Sequence, residues 1–293
     1  MLIIGSRGSQ LALWQANWVV SRLEELGQEC RIEIIHTTGD KIQDVALSKV
    51  GTKGLFTKEI EEALLDGRID LAVHSLKDMP TDLPDGLTLA AIPPREDARD
   101  AIIGSKLDDL KRGAKVGTSS LRRMAQLRAL RPDLEIESVR GNVDTRLRKQ
   151  QEGQYDAILL AAAGLNRLGL SDRIAEIIPI EKMCPAVGQG ALAIETRIGE
   201  SVVSKLDHLP TRRAVTAERA VLRALGGGCQ VPIGAYAVAD GSGVYVQAIV
   251  IAPDAFAMIR LEARGEDPEQ VGAGLGQELL DAGADEILKA VYG

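Results

Sequence analysis

The chain has 293 residues, 45% hydrophobic and 26% charged, which suits about two folded domains, or three small ones, and argues against general disorder. Thirty-five basic against forty-two acidic side chains leave a net charge of −7 and aromatics make up 3%, so broad nucleic-acid binding and base stacking are not expected. No apolar run reaches a membrane-spanning length, no signal-peptide pattern opens the chain, and three cysteines without a CxxC point to neither a disulfide framework nor a metal site, so a reduced, cytoplasmic setting is expected.

Hydrophobic periodicity predicts a short strand at 2–5, a helix over 11–26 ended near Gly27, and a strand at 31–36. A helix over 56–66 stops at Gly67, and strands follow at 70–74 and 87–92. This alternation describes an α/β lobe, assigned to 1–93 together with 191–209. Pro93-Pro94 marks a first crossing, because consecutive prolines stop both helix and sheet.

A second α/β lobe, 94–190, is expected to hold strands at 101–104, 115–117, 135–139 and 155–161, with helices over 120–130 and 143–151. The chain then crosses back through Pro185, Gly188 and Gly190, and 191–195 returns as a strand to the first lobe. Two lobes with two crossings frame a hinged cleft. The remainder, 210–293, reads as a small α+β domain: a helix over 211–224, an antiparallel three-stranded sheet at 235–239, 244–251 and 258–263, and a closing helix over 268–292. Gly272, Gly274 and Gly276 fall inside that helical pattern, the wrong context for a dinucleotide loop.

Three segments place small hydroxyl residues and arginines where a strand ends and a helix begins: Gly5-Ser6-Arg7-Gly8-Ser9, Gly117-Thr118-Ser119-Ser120-Leu121-Arg122-Arg123, and Arg140-Gly141-Asn142-Val143-Asp144-Thr145-Arg146. Free N–H groups at helix starts and guanidinium forks both receive anions. One such loop alone is ordinary capping; three on one cleft edge point to an anion site, with Lys53, Lys58 and Arg167 as further candidates. His74-Ser75-Leu76-Lys77-Asp78-Met79-Pro80 follows a buried strand, so Lys77 and Asp78 should emerge at the ligand-binding edge of the sheet, against the competing reading of a surface turn. Leu225-Gly226-Gly227-Gly228-Cys229-Gln230-Val231-Pro232 offers a pliant backbone that can present a thiol, or an incidental one in a mobile loop. Gln189, between glycines, and Gln15, one turn into the first helix, are each placed to aim an amide into the cleft or to serve the hinge and the surface.

Taken in order, these segments resemble the porphobilinogen deaminase family, together with Leu11-Ala12-Leu13-Trp14-Gln15-Ala16, Lys53-Gly54-Leu55-Phe56 and Ala186-Val187-Gly188-Gln189-Gly190. The resemblance implies two lobes like type II periplasmic binding proteins plus the small third domain. It implies a dipyrromethane cofactor on Cys229 through a thioether, and a monomer that joins four porphobilinogen molecules head to tail into hydroxymethylbilane with loss of four ammonia molecules. It implies a catalytic set of Asp78, Arg7, Gln15, Lys53, Arg140, Arg146 and Gln189. Around the cofactor it implies Ser75, Lys77, Asp78, Thr118, Ser120, Arg122, Arg123 and Arg146, and around the substrate Arg7, Ser9, Phe56, Arg140, Arg146 and Arg167. No metal, nucleic acid or membrane enters this scheme. The chain departs from the bacterial pattern at Leu225-Gly226, where Leu-Glu is usual, and is shorter near Glu200. The residues alone also allow a binding module that closes on a small anion, and an acyltransferase with Cys229 as nucleophile.

Overall fold

The computed structural model describes residues 1–41, 56–227 and 231–292. The first lobe begins with β1 (Leu2–Ser6), α1 (Gln10–Glu25), β2 (Cys30–Ile34), the single turn α2 (Thr38–Lys41) and α3 (Lys58–Leu65), and continues with β3 (Leu71–Ser75) and β4 (Leu87–Ala91). Ser9 caps α1 by accepting from the Ala12 N–H, and the helix buries Gln15, Ala16, Val19 and Leu23 on one face. Gly27, at φ 81°, turns the chain away after its last turn.

The second lobe carries β5 (Asp100–Ile103), β6 (Lys115–Gly117), α4 (Leu121–Leu130), β7 (Glu135–Glu137), α5 (Val143–Gln151), β8 (Ala157–Ala161), α6 (Ala162–Arg167) and β9 (Ile174–Ile177). β10 (Leu192–Arg197) then returns to the first sheet. The two five-stranded sheets have the same plan, with orders β2-β1-β3-β10-β4 and β7-β6-β8-β5-β9. In each, three strands pair in parallel and the fourth position is antiparallel to both neighbours. That antiparallel strand is the one just delivered by a crossing: β5 enters the second sheet and β10 the first. This is the arrangement of type II periplasmic-binding-protein lobes.

The C-terminal unit packs α7 (Leu209–Ala224) and α8 (Pro268–Leu279) on the antiparallel sheet of β11 (Ile233–Asp240), β12 (Gly243–Ile251) and β13 (Met258–Gly265). The glycines at 272 and 276 serve close helix contact. A Cβ on Gly272 would lie 2.2 Å from the Ala217 carbonyl oxygen, and one on Gly276 would lie 2.4 Å from the Ala224 Cβ. The closing helix expected over 268–292 is broken. A wide turn at Leu280–Ala284, with Gly283 at φ 98°, separates α8 from α9 (Asp285–Tyr292).

The crossings are laced to each other and to the third unit. Arg95 Nε donates to the Gln189 carbonyl at 2.8 Å, the Glu96 N–H to the Gly190 carbonyl at 3.1 Å, and Arg95 pairs with the fully buried Glu218 of α7. Glu218 also accepts from the Gly188 N–H at 2.7 Å and the Ala237 N–H at 2.8 Å, so one carboxylate joins both crossings to β11.

Candidate functional site

β3 ends in a single 3-10 turn, Leu76–Asp78, that lifts Lys77 and Asp78 off the sheet's carboxyl edge. Pairing with β10 fixes this turn: His74 lies opposite Ala193, Ser75 opposite Leu192, and the Leu76 N–H donates to the Ala191 carbonyl at 3.0 Å. Beneath it, the buried Gln15 amide donates to Ser75 Oγ at 2.8 Å. Asp78 is exposed, whereas Lys77 is partly covered. Burial, offset in part by Asp78, lowers the Lys77 ammonium to about 8, and Arg123 and Arg122 push in the same direction.

Opposite stand the two helix starts of the second lobe. Ser120 caps α4 by accepting from the Arg123 N–H, and Thr118 Oγ1 accepts from the Ser120 N–H at 3.3 Å. Asn142 caps α5 by accepting from the Thr145 N–H. Arg146, in the first turns of α5, donates from Nε to the Gly141 carbonyl at 2.8 Å. Burial and the neighbouring Arg123 and Arg140 push it down to about 10, and Asp78 acts the other way. No hydrogen bond or ion pair engages the Arg140 side chain among the described residues.

Arg122 and Arg123 are both buried, and both are engaged with Asp100, which sequence reasoning missed. Burial opposes the charge on Asp100, but the two guanidiniums and the Gln189 amide hold its carboxyl well below the usual range. The one sequence signal was a carboxylate opening the apolar strand Asp100-Ala101-Ile102-Ile103, a position that demands a buried cation. The buried Gln189 side chain donates to Asp100 at 2.9 Å and to the Ala98 carbonyl at 2.7 Å.

Lys77, Asp78, Arg122, Arg123, Arg140 and Arg146 therefore share one neighbourhood. Other predicted residues line its approaches. The Arg7 guanidinium sits 4.2 Å from the centre of the Phe56 ring. Ser9 is spent on capping α1. Arg167 donates to the Gly190 carbonyl at 2.7 Å and faces the Trp14 ring at 6.0 Å, joining the two lobes; burial lowers it to about 10. Lys53 and Cys229 lie outside the described residues. Val231, however, lines a small crevice shared with Lys77, Ser120 and Arg122, and Arg219 and Leu222 of α7 line it too.

Five cations here face two carboxylates, Asp78 and Asp100, and the buried Arg122 Nε has no acceptor among the described residues. A donor set with such a surplus fits a molecule bearing several carboxylates, as a dipyrromethane does. No cluster of three or more potential metal ligands occurs among the described residues, and none of the described helices is long and apolar enough to cross a membrane.

Fold and site thus define a two-lobed α/β protein whose cleft concentrates cations around one exposed aspartate. A family model described as "Porphobilinogen deaminase, dipyromethane cofactor binding domain" matches residues 2–205, and one described as "Porphobilinogen deaminase, C-terminal domain" matches 212–281. Porphobilinogen deaminase from Brevibacillus brevis is 51% identical, with 98% of this chain and 96% of that protein covered. The Moorella thermoacetica protein of the same name is 52% identical at the same coverage. Among solved structures, a nutrient-binding protein from Burkholderia cenocepacia overlays with a TM-score of 0.43 at 13% identity, covering 76% of this chain and 95% of that one. The chain belongs to the porphobilinogen deaminase family. That membership decides for an enzyme, a transferase, over the binding-module and acyltransferase readings.

Proposed function

We propose that this chain polymerises four porphobilinogen molecules head to tail into hydroxymethylbilane, starting from a dipyrromethane held by Cys229. The observation that carries this reading is the cation surplus around Asp78. Each pyrrole brings an acetate and a propionate, so a growing chain needs many positive partners in one cleft rather than one phosphate pocket. When bound, the dipyrromethane supplies two linked pyrroles with a free α-carbon to extend.

Ser75, Lys77, Thr118, Ser120, Arg122, Arg123 and Arg146 anchor its carboxylates. Arg7, Ser9, Phe56, Arg140, Arg146 and Arg167 receive the incoming substrate, with Lys53 beside them. Gln15 holds Ser75, and Gln189 holds Arg123. Each addition forms one carbon–carbon bond from a ring α-carbon to the aminomethyl carbon of porphobilinogen; the carbon–nitrogen bond breaks, and ammonia leaves with the displaced ring proton. The Asp78 carboxylate accepts a hydrogen bond from the pyrrole N–H of the reacting ring and stabilises the positive charge that builds as ammonia departs. It also assists the proton's transfer from the new junction to the amine. Asp78 sits on a fixed turn, so the lobes or the product must shift between additions, and the two crossings supply that freedom.

On this reading the lobes are 1–93 with 191–209, and 94–190; 210–293 is the cofactor-bearing domain, and the enzyme is a cytoplasmic monomer. Intact mass of the purified protein tests the core of it. The expected result is an excess of two linked pyrrole units, absent after Cys229→Ser; a bare polypeptide mass overturns the reading.

A further inference from the structure

Asp100 is fully buried, and its one carboxylate takes five donors. Arg122 donates from Nη1 at 2.7 Å and Nη2 at 3.3 Å, Arg123 from Nε at 2.9 Å and Nη2 at 2.7 Å, and Gln189 from Nε2 at 2.9 Å. Other donors of the two guanidiniums are fixed as well. Arg122 Nη1 reaches the Cys184 carbonyl at 2.6 Å, and Arg123 reaches the Leu159 carbonyl at 3.2 Å and Gln189 Oε1 at 3.4 Å. Adjacent arginines on one helix turn repel each other, and a single shared carboxylate holds them together while leaving one net positive charge. Asp100 also stands directly after the first crossing, and Gln189 belongs to the second.

We propose that Asp100 is a positioning residue that fixes the Arg122–Arg123 pair in its carboxylate-binding geometry and ties that geometry to the joined state of the two crossings. The proposal rests on the reading of the cleft as a polycarboxylate site. It makes a prediction opposite in sign to simple electrostatics. Asp100→Asn removes a negative charge, so a role limited to charge gives tighter anion binding. Positioning gives weaker binding, because an amide offers one acceptor oxygen and turns an NH2 toward the guanidiniums. Asp100→Glu keeps the charge and displaces it by one methylene; positioning again gives weaker binding, and charge alone gives no change.

The test uses the full chain carrying Cys229→Ser, with benzene-1,2,4,5-tetracarboxylate as probe, titrated calorimetrically at a temperature where circular dichroism shows each variant folded. The expected result is at least a tenfold loss of affinity in both variants. The alkaline loss of binding, set by Lys77 among Asp78, Asp100, Arg122 and Arg123, moves to lower pH in Asp100→Asn because a charge is lost, whatever else Asp100 does, and stays in place in Asp100→Glu. A tenfold affinity loss in folded Asp100→Glu with that midpoint unmoved is therefore the readout that neither charge nor a role in stability produces. If Asp100→Asn does not fold, Asp100→Glu decides alone. Unchanged or tighter binding overturns the proposal, as does loss of the fold in both variants, which assigns Asp100 to stability. Failure of the Asp100 parent to bind the probe takes down the cleft reading as well, and so is distinguishable from failure of Asp100's role alone.

Discussion

Replacing Glu218 with alanine tests whether one carboxylate joins the three units. Its side chain is fully buried, and Arg95, its partner, is 11% exposed. The substitution strands the Arg95 guanidinium and removes the acceptor of two backbone N–H groups, Gly188 and Ala237. Breaking a buried ion pair by removing one partner costs about 3–5 kcal/mol. Each orphaned buried N–H adds about 1–3 kcal/mol, though relaxation and water entry into the gap keep the terms from adding in full. A loss of about 4 kcal/mol in the unit bearing α7, which has fewer than about 100 residues, corresponds to a Tm drop of about 16–32 °C at about 4–8 °C per kcal/mol. Glu218→Gln retains the shape and one acceptor, so about half that loss is expected. Differential scanning calorimetry, followed in parallel by near-UV circular dichroism, measures both. Alanine and glutamine variants melting within about 2 °C of the parent would refute the idea that Glu218 ties the crossings to β11.

Lys77 and Gly272 carry two further expected outcomes. Without ligand, Lys77 titrates near 8 rather than at its ordinary value, so the unfolded chain binds that proton more tightly and the Lys77 contribution to stability rises with pH through the interval above 8. Carboxylates favour the charged ammonium, so tetracarboxylate binding at pH 8.5 should take up protons, and at pH 6 this group should contribute none; calorimetry in two buffers of different ionisation enthalpy reads the uptake, which Lys77→Arg should abolish. Gly272→Ala should destabilise the C-terminal unit by about 1–3 kcal/mol, because its Cβ meets the Ala217 carbonyl; an unchanged urea midpoint would mean that α7 and α8 separate easily.

Local signals in the sequence were the most legible. Ser9, Ser120 and Asn142 mark helix starts through their own side chains, and Lys115–Gly117 and Val143–Gln151 have the bounds that the pattern predicts. The run 157–165 hid a boundary: β8 passes directly into α6, and both are buried, so hydrophobicity alone does not separate strand from helix. β9 escaped notice as a partly covered edge strand, and Gly283 broke the closing helix without interrupting its apolar period. Pairing was the least legible feature. Nothing local says that Arg122 and Arg123 meet a carboxylate 22 and 23 residues upstream, or that Arg95 meets Glu218 across 123 residues. The sequence pattern treats all these arginines alike, whereas tertiary packing commits Arg95 to a buried pair at the crossings and leaves Arg140 unpaired among the described residues.

The most direct test of the central claim follows chain growth on the protein itself. Wild-type protein given limiting porphobilinogen should show an intact-mass ladder of one to four single-pyrrole increments above its cofactor-loaded mass. Asp78→Ala, altered at an exposed position, should stay folded and keep the starting mass while the ladder fails to form. Turnover of porphobilinogen with no covalent increments, or a ladder at the parent rate in Asp78→Ala, would contradict the account.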